Sequence, residues 1–102
     1  MALTVEEERS IPNPLGGRVA LVKITDDAGV IPDDGRRNNV ICIRDEREVW
    51  RIKRAHELHG GNVIASIYSS DKDHFTAESY DGVVYEVSYA DGTAVHVRWE
   101  KT

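Results

Sequence analysis

The chain has 102 residues, of which 40% are hydrophobic and 30% are charged, and its formal net charge is −5. A chain of this length buries about 60–65% of its unfolded surface in one core, so it accommodates one domain and not two. Its negative charge repels phosphate backbones, and we therefore expect no nucleic-acid partner.

The N-terminal segment is predicted to form an irregular arm over residues 1–17. An acidic run at Glu6–Glu8 is followed by "IPNPLGG", whose prolines and glycines disfavour regular structure. A single domain is expected over residues 18–102. It begins with two strands, "RVALVKIT" (18–25) and "VICI" (40–43), which are apolar on both faces and separated by a polar loop.

Two interpretations compete for the next segment. "VICIRDEREVWRI" is compatible with a β-hairpin that turns at Asp45 and Glu46. A helix over about residues 46–59 has more independent signals, because Asp45 is a suitable N-cap and Gly60 and Gly61 are suitable for its C-terminus. We therefore predict the helix.

On that helix Trp50 falls beside Arg54, opposite an apolar stripe formed by Val49, Ile52, Ala55 and Leu58. An indole in solvent exposes a large apolar surface, and tryptophan and arginine are enriched at interface hot spots. The pattern predicts a homodimer with Trp50 and Arg54 at or near its interface. The alternative is a monomer in which "IPNPLGG" folds back over the indole.

The C-terminal third reads as four strands. "NVIASIYSS" (62–70) is followed by a polar break and by three alternating strands joined by two Asp-Gly turns. Three-residue loops with Gly82 and Gly92 at positive φ bring the apolar residues to one face, and they pair Val87 with Val95. The predicted buried face is Phe75, Ala77, Val83, Tyr85, Val87, Val95, Val97 and Trp99. The expected fold class is therefore α+β, with one helix packed on a mainly antiparallel sheet, order ββαββββ, and a C-terminal three-stranded meander.

The predicted register gives one candidate catalytic pair. It places Glu86 directly opposite His96 on the polar face of the meander, with Thr76 on the other side of Glu86. A carboxylate beside an imidazole is the minimum acid–base pair, and it is also a common exposed ion pair.

A candidate metal site lies in "HELHG". His56 and His59 are three residues apart, whereas a zinc-protease helix needs its two histidines four apart, and that position is Gly60. The pair would need a third ligand such as His74, Asp71 or Asp73. An ordinary helix end is favoured, so we expect neither a metal ion nor another cofactor.

Cys42 is the only cysteine, which excludes an internal disulfide and fits a reducing compartment. Its apolar neighbours predict a buried structural thiol. The sequence shows no export signal and no run of about 18 apolar residues. We therefore expect a cytoplasmic protein without membrane association.

No residue set combines a nucleophile, a base and an orienting group at a recognisable spacing. The sequence therefore predicts a small non-enzymatic binding or regulatory module that acts as a homodimer, with a protein or a small molecule as partner. The alternative is a small-molecule-binding protein or acid–base enzyme that uses Glu86 and His96 in a pocket between helix and sheet.

Overall fold

The computed structural model describes residues 3–26, 38–54 and 63–99, and all regular structure in these ranges is β-strand. The predicted α+β fold class is wrong, because the described residues contain no helix. The strands are β1 (Leu3–Pro12), β2 (Arg18–Asp26), β3 (Val40–Arg44), β4 (Arg47–Arg51), β5 (Lys53–Arg54), β6 (Ile64–Ser69), β7 (His74–Ser79), β8 (Val83–Ser88) and β9 (Thr93–Trp99).

The strands form two sheets, of order β1-β2-β3-β4 and β5-β9-β8-β7-β6. Neighbouring strands are antiparallel, apart from the parallel pair β5 and β9. Only Ile52 separates β4 from β5, so one run of chain leaves the first sheet and enters the second. The amide of Ile52 donates to Val40 O and the next amide, of Lys53, donates to Gly92 O, both at 2.9 Å.

The core lies between the two sheets and draws residues from both. Its aromatic centre is Phe75, whose ring is 6.0 Å from that of Trp50 and 5.2 Å from that of Tyr89. Trp50 is only 6% exposed, and its Nε1 donates to Tyr89 O at 3.0 Å. The expectation that Trp50 faces solvent is therefore wrong.

The segment predicted as a helix over about residues 46–59 is a β-hairpin as far as the structure describes it. Asp45 and Glu46 have φ of 53° and 61°, as a two-residue type I′ turn requires. Capping signals contribute about 1 kcal/mol each, whereas burial of a large apolar side chain contributes about 1.5–3 kcal/mol. The strand buries both Trp50 and Ile52 against the second sheet, which outweighs the local helical signals. Residues 55–59 lie outside the described ranges.

The predicted irregular arm is also wrong over Leu3–Pro12, which pairs along its length with β2. An edge strand tolerates the exposed glutamates and a terminal proline, because one row of its backbone groups needs no partner in the sheet. Ile11 supplies the apolar anchor and is buried in the core. Only Asn13–Gly17 form an irregular turn, closed by a hydrogen bond from Asn13 N to Gly17 O.

Two buried asparagines connect the sheets. Asn39 Nδ2 donates to Val22 O at 3.2 Å and to Ile64 O at 3.0 Å, while its Oδ1 accepts the Ile64 amide at 2.9 Å. Asn13 Nδ2 donates to Tyr89 O at 3.1 Å and lies 3.4 Å from Cys42 Sγ. Each side-chain amide thus forms buried hydrogen bonds to backbone groups that would otherwise lack a partner between the two sheets.

The register of the C-terminal meander is confirmed at its first turn and wrong at its second. Gly82 and Gly92 both have positive φ, of 86° and 79°, and Ala77 pairs with Tyr85 as predicted. The second loop has four residues, however, and is closed by Gly92 N donating to Ser88 O at 2.9 Å.

This longer loop changes which side chains of β9 face the core. Val87 stands opposite Ala94, not Val95, and a bulge at Val97 restores the pairing of Val83 with Trp99. Ala94 is buried, while Val95 and Val97 are 62% and 49% exposed. The prediction that both valines belong to the buried face is therefore wrong.

Candidate functional site: a groove on the outer face of β8 and β9

The predicted neighbours Glu86 and His96 do not face each other. Glu86 stands opposite Val95, and His96 stands opposite Tyr85, because of the four-residue loop. The His96 ring lies 6.2 Å from the Tyr85 ring, on the other side of the strand from Glu86. The predicted Glu86–His96 pair is therefore wrong.

A shallow groove of about 370 Å³ follows the outer face of β8 and β9. We call it the β8–β9 groove. Its apolar part is the exposed valine pair of β9, and its polar part carries carboxylates, an imidazole and hydroxyls. The lining residues are His74, Glu86, Ser88, Asp91, Thr93, Val95 and Val97.

Glu86 does have an imidazole neighbour, and that neighbour is His74. The Nδ1 of His74 lies 3.3 Å from Glu86 Oε1 and 3.4 Å from Asp71 Oδ1. Thr76 stands opposite Glu86 as predicted, and His74, two residues before Thr76, therefore occupies the diagonal position on the same face. The segment "DKDH" and the correctly predicted first turn together place His74 next to Glu86. The prediction chose His96 because the second loop was counted one residue too short.

The turn before β7 holds Asp71 in a fixed orientation. Its Oδ1 accepts the amides of Asp73 and His74, both at 2.8 Å, and its own amide donates to His74 O at 3.0 Å. The amide hydrogen bond from Asp73, with further hydrogen bonds from His74, holds the pKa of Asp71 below its ordinary value. Asp71 is therefore ionised at neutral pH.

Asp91 lines the groove from the loop between β8 and β9. This loop lies next to the turn that holds Asp71, since Tyr89 N donates to Asp73 O at 3.0 Å. Its Oδ1 accepts the Thr93 amide at 2.9 Å. That hydrogen bond is the main cause of a lowered pKa of Asp91, and the charge of Lys53 lowers it further. Asp91, which lines the groove, and Asp71, which lies next to His74, are therefore both ionised at neutral pH.

Among the described residues, the predicted binding residues Trp50 and Arg54 are not brought to this groove. Arg54 is half-buried, donates through Nε and Nη2 to Asn38 Oδ1 at 3.0 and 2.9 Å, and lies 5.5 Å above the Tyr85 ring. His56 and His59 lie outside the described residues. Cys42 is fully buried, which confirms the predicted burial of this thiol.

A second recess, of about 590 Å³, lies beside β1, β2 and β6. Its lining carries charges of both signs, Glu6 and Glu8 with Lys23, and its inner wall includes Asn39. The Asn39 amide is already engaged by both sheets. The β8–β9 groove is therefore the better candidate, since it combines same-sign charge with exposed apolar surface.

The chemistry available in the β8–β9 groove is that of a cation-binding surface with an apolar side. Its carboxylates attract positive charge, and its two valines offer apolar contact. Within the described ranges, no helix is long and apolar enough to cross a membrane. Comparisons with protein-family models, with curated proteins and with solved structures found no match to this chain.

Proposed function

We propose that this chain is a small non-enzymatic binding module and that the β8–β9 groove is its binding face. The observation that carries the proposal is the exposure of Val95 and Val97 beside charged carboxylates. Single exposed valines need no explanation, but two on one strand, in a recess with convergent polar groups, are typical of a contact surface.

The charge of the groove specifies the class of partner. Glu86 and Asp91 line it, Asp71 lies next to its His74, and the charge of Lys53 acts on Asp91. A partner that presents positive charge together with apolar side chains would complement this surface. A strand-like segment in which lysine or arginine alternates with valine or leucine meets both requirements, since alternate side chains of an extended segment project to opposite sides.

The exposure of the imidazole favours binding over the acid–base alternative. The side chains of His74 and Glu86 are 38% and 45% exposed, on an open sheet face. Efficient general acid–base catalysis depends on a positioned substrate and on exclusion of water, and an open groove provides little of either. The pocket between helix and sheet that the alternative required has no counterpart in the described residues.

The test is a titration of the isotopically labelled chain with an acetylated peptide of alternating lysine and valine, in buffer containing EDTA. We expect the backbone amide signals of Val95 and Val97 to shift. An otherwise identical peptide with glutamate in place of lysine should produce no such shift, because it meets the carboxylates with like charge.

Matched variants locate the contact. Val97→Ser should weaken peptide binding several-fold, whereas Val49→Ser, at a valine of β4 that is also about half exposed (46%), should leave it unchanged. Glu86→Gln should weaken binding by about 1.5- to 5-fold, the range for one exposed ion pair. Equal binding of the lysine and glutamate peptides, or equal effects of Val97→Ser and Val49→Ser, would contradict the proposal.

A further inference from the structure

We propose that Asp71, His74 and Glu86 form a binding site for a divalent first-row transition-metal ion such as Zn²⁺. The proposal rests on the role of the β8–β9 groove as the binding face and names one cationic ligand of that face. Among the described residues these three side chains each offer one donor atom, and the three atoms lie within 4.8 Å of one another.

The distances are those of ligands around one ion. Two donors at about 2.0–2.2 Å from a tetrahedral zinc ion are separated by about 3.3–3.5 Å. His74 Nδ1 lies 3.3 Å from Glu86 Oε1 and 3.4 Å from Asp71 Oδ1. Both separations fit two ligands of one ion, and they also fit ion pairs in the metal-free chain.

The donor set selects the class of ion. One imidazole nitrogen and two carboxylate oxygens suit zinc and its neighbours in the first transition row. Calcium and magnesium prefer ligand sets made only of oxygen. Three protein ligands also leave at least one coordination position for water or for a donor atom of a bound partner.

The backbone of each of the three ligands is held in place before any ion binds. His74 and Glu86 project from β7 and β8, whose ladder is continuous from His74–Ser88 to Glu78–Val84. Asp71 is fixed by the amides of Asp73 and His74. Ion binding therefore needs to order only side chains, chiefly those of His74 and Glu86, which are 38% and 45% exposed.

The experiment is calorimetric titration of the metal-free, untagged full chain with Zn²⁺ alone, followed by the same titration of histidine variants. The chain has four histidines, which provide matched controls for one another. We expect one equivalent of Zn²⁺ to bind, with a loss of affinity of at least about tenfold in His74→Gln, Asp71→Asn and Glu86→Gln. His96→Gln and the double variant His56→Gln/His59→Gln should bind as the wild type does.

A second measurement uses only the wild-type chain and therefore does not depend on whether the variants fold. In the wild-type chain, Zn²⁺ should shift the imidazole resonances of His74 before those of the other three histidines. The proposal is overturned if the wild type does not bind Zn²⁺, if His74→Gln binds normally, or if binding is lost only in the His56/His59 double variant.

The peptide-binding proposal and the metal-site proposal can be refuted independently of each other. The peptide titration is carried out in EDTA, and the zinc titration is carried out without peptide. Peptide binding without zinc binding would overturn the metal site alone, whereas zinc binding without peptide binding would overturn the proposed class of partner and leave the metal site in place.

Discussion

Asn39 shows at the scale of one residue how the two sheets are held together. Its amide makes three buried hydrogen bonds, two of them to the backbone of Ile64 in the second sheet. An unsatisfied buried polar group costs about 1–3 kcal/mol. We therefore expect Asn39→Ala to lower the free energy of unfolding by on the order of 3 kcal/mol, measured by urea denaturation.

Its neighbour Asn38 is the matched control. Asn38 is half-buried and its Oδ1 accepts hydrogen bonds from the Arg54 side chain, so water can replace the lost partner. Asn38→Ala should cost less than about 1 kcal/mol. Equal losses in the two variants would show that Asn39 does not link the sheets in the way described.

Gly92 is a second residue whose identity is fixed by packing. Its φ is +79°, and a Cβ added there would lie 2.4 Å from Trp50 Cε3. Gly92→Ala therefore adds steric overlap of about 1–3 kcal/mol to a left-handed backbone cost of about 1–2 kcal/mol. Urea denaturation should show a loss close to the sum of these two costs.

A double-mutant cycle separates the two costs at Gly92. In a Trp50→Leu background the steric part should largely vanish, because the indole atoms that the new methyl group would meet are gone, and the backbone part should remain. An unchanged penalty in that background would contradict contact between Gly92 and the indole.

At the scale of elements, the sequence predicted strands well where apolar residues alternate or run continuously. β2, β3, β6, β7, β8 and β9 lie where they were predicted, within about two residues. The segment from Asp45 to Arg54 was misassigned because its helical signals are local, whereas the burial of Trp50 depends on a second sheet that the sequence does not display. The face of β9 was misassigned because the second loop has four residues and not three, which the alternating pattern does not specify; the bulge at Val97 then restores the pairing of Val83 with Trp99.

The candidate site could likewise be predicted only in part from the sequence. The correct first turn of the meander placed Thr76 opposite Glu86, and this register already puts His74 on the same face. Its pairing with Asp71 depends on the amide contacts of the preceding turn, which polar composition alone does not specify.

The turn between β6 and β7 gives a prediction about pH. The pKa of Asp71 is lowered in the folded state, chiefly by the Asp73 amide, so its ionised form stabilises the fold above the unfolded pKa of about 3.9. That contribution is lost as pH falls through the lower folded pKa. We expect Asp71→Asn to lower the urea midpoint at pH 7 and to differ less from the wild type as pH falls below about 3.9. A difference of the same size at pH 7 and below about pH 3.9 would contradict this origin.

At the scale of the whole molecule, the junction at Ile52 makes the two sheets mutually dependent. The chain passes from β4 to β5 there, and Ile52 itself is buried in the shared core. The outer face of the first sheet also carries a small buried cluster of Ala20, Val22 and Ile41, with Ile43 packed against it. Cooperative unfolding of both sheets together is the expected consequence, because the inner apolar faces that form the shared core cover one another.

The homodimer remains a proposal, but the residue proposed at its interface is now Val49 and no longer Trp50. Trp50 lies in the core and is not available to a second copy, but its neighbour Val49 is 46% exposed on β4, the last strand of the first sheet. Val49 is a bulge residue of β4, which disfavours strand pairing there, so a second copy related by a twofold axis would contact the exposed Val49 side chain. We expect sedimentation equilibrium to show a dimer that Val49→Lys weakens at least about tenfold, or about 1.4 kcal/mol.

Val97→Lys, in the β8–β9 groove, is the matched control and should leave the dimer intact. A wild-type monomer would reject the proposal, and a dimer weakened by Val97→Lys but not by Val49→Lys would place the interface on the groove instead.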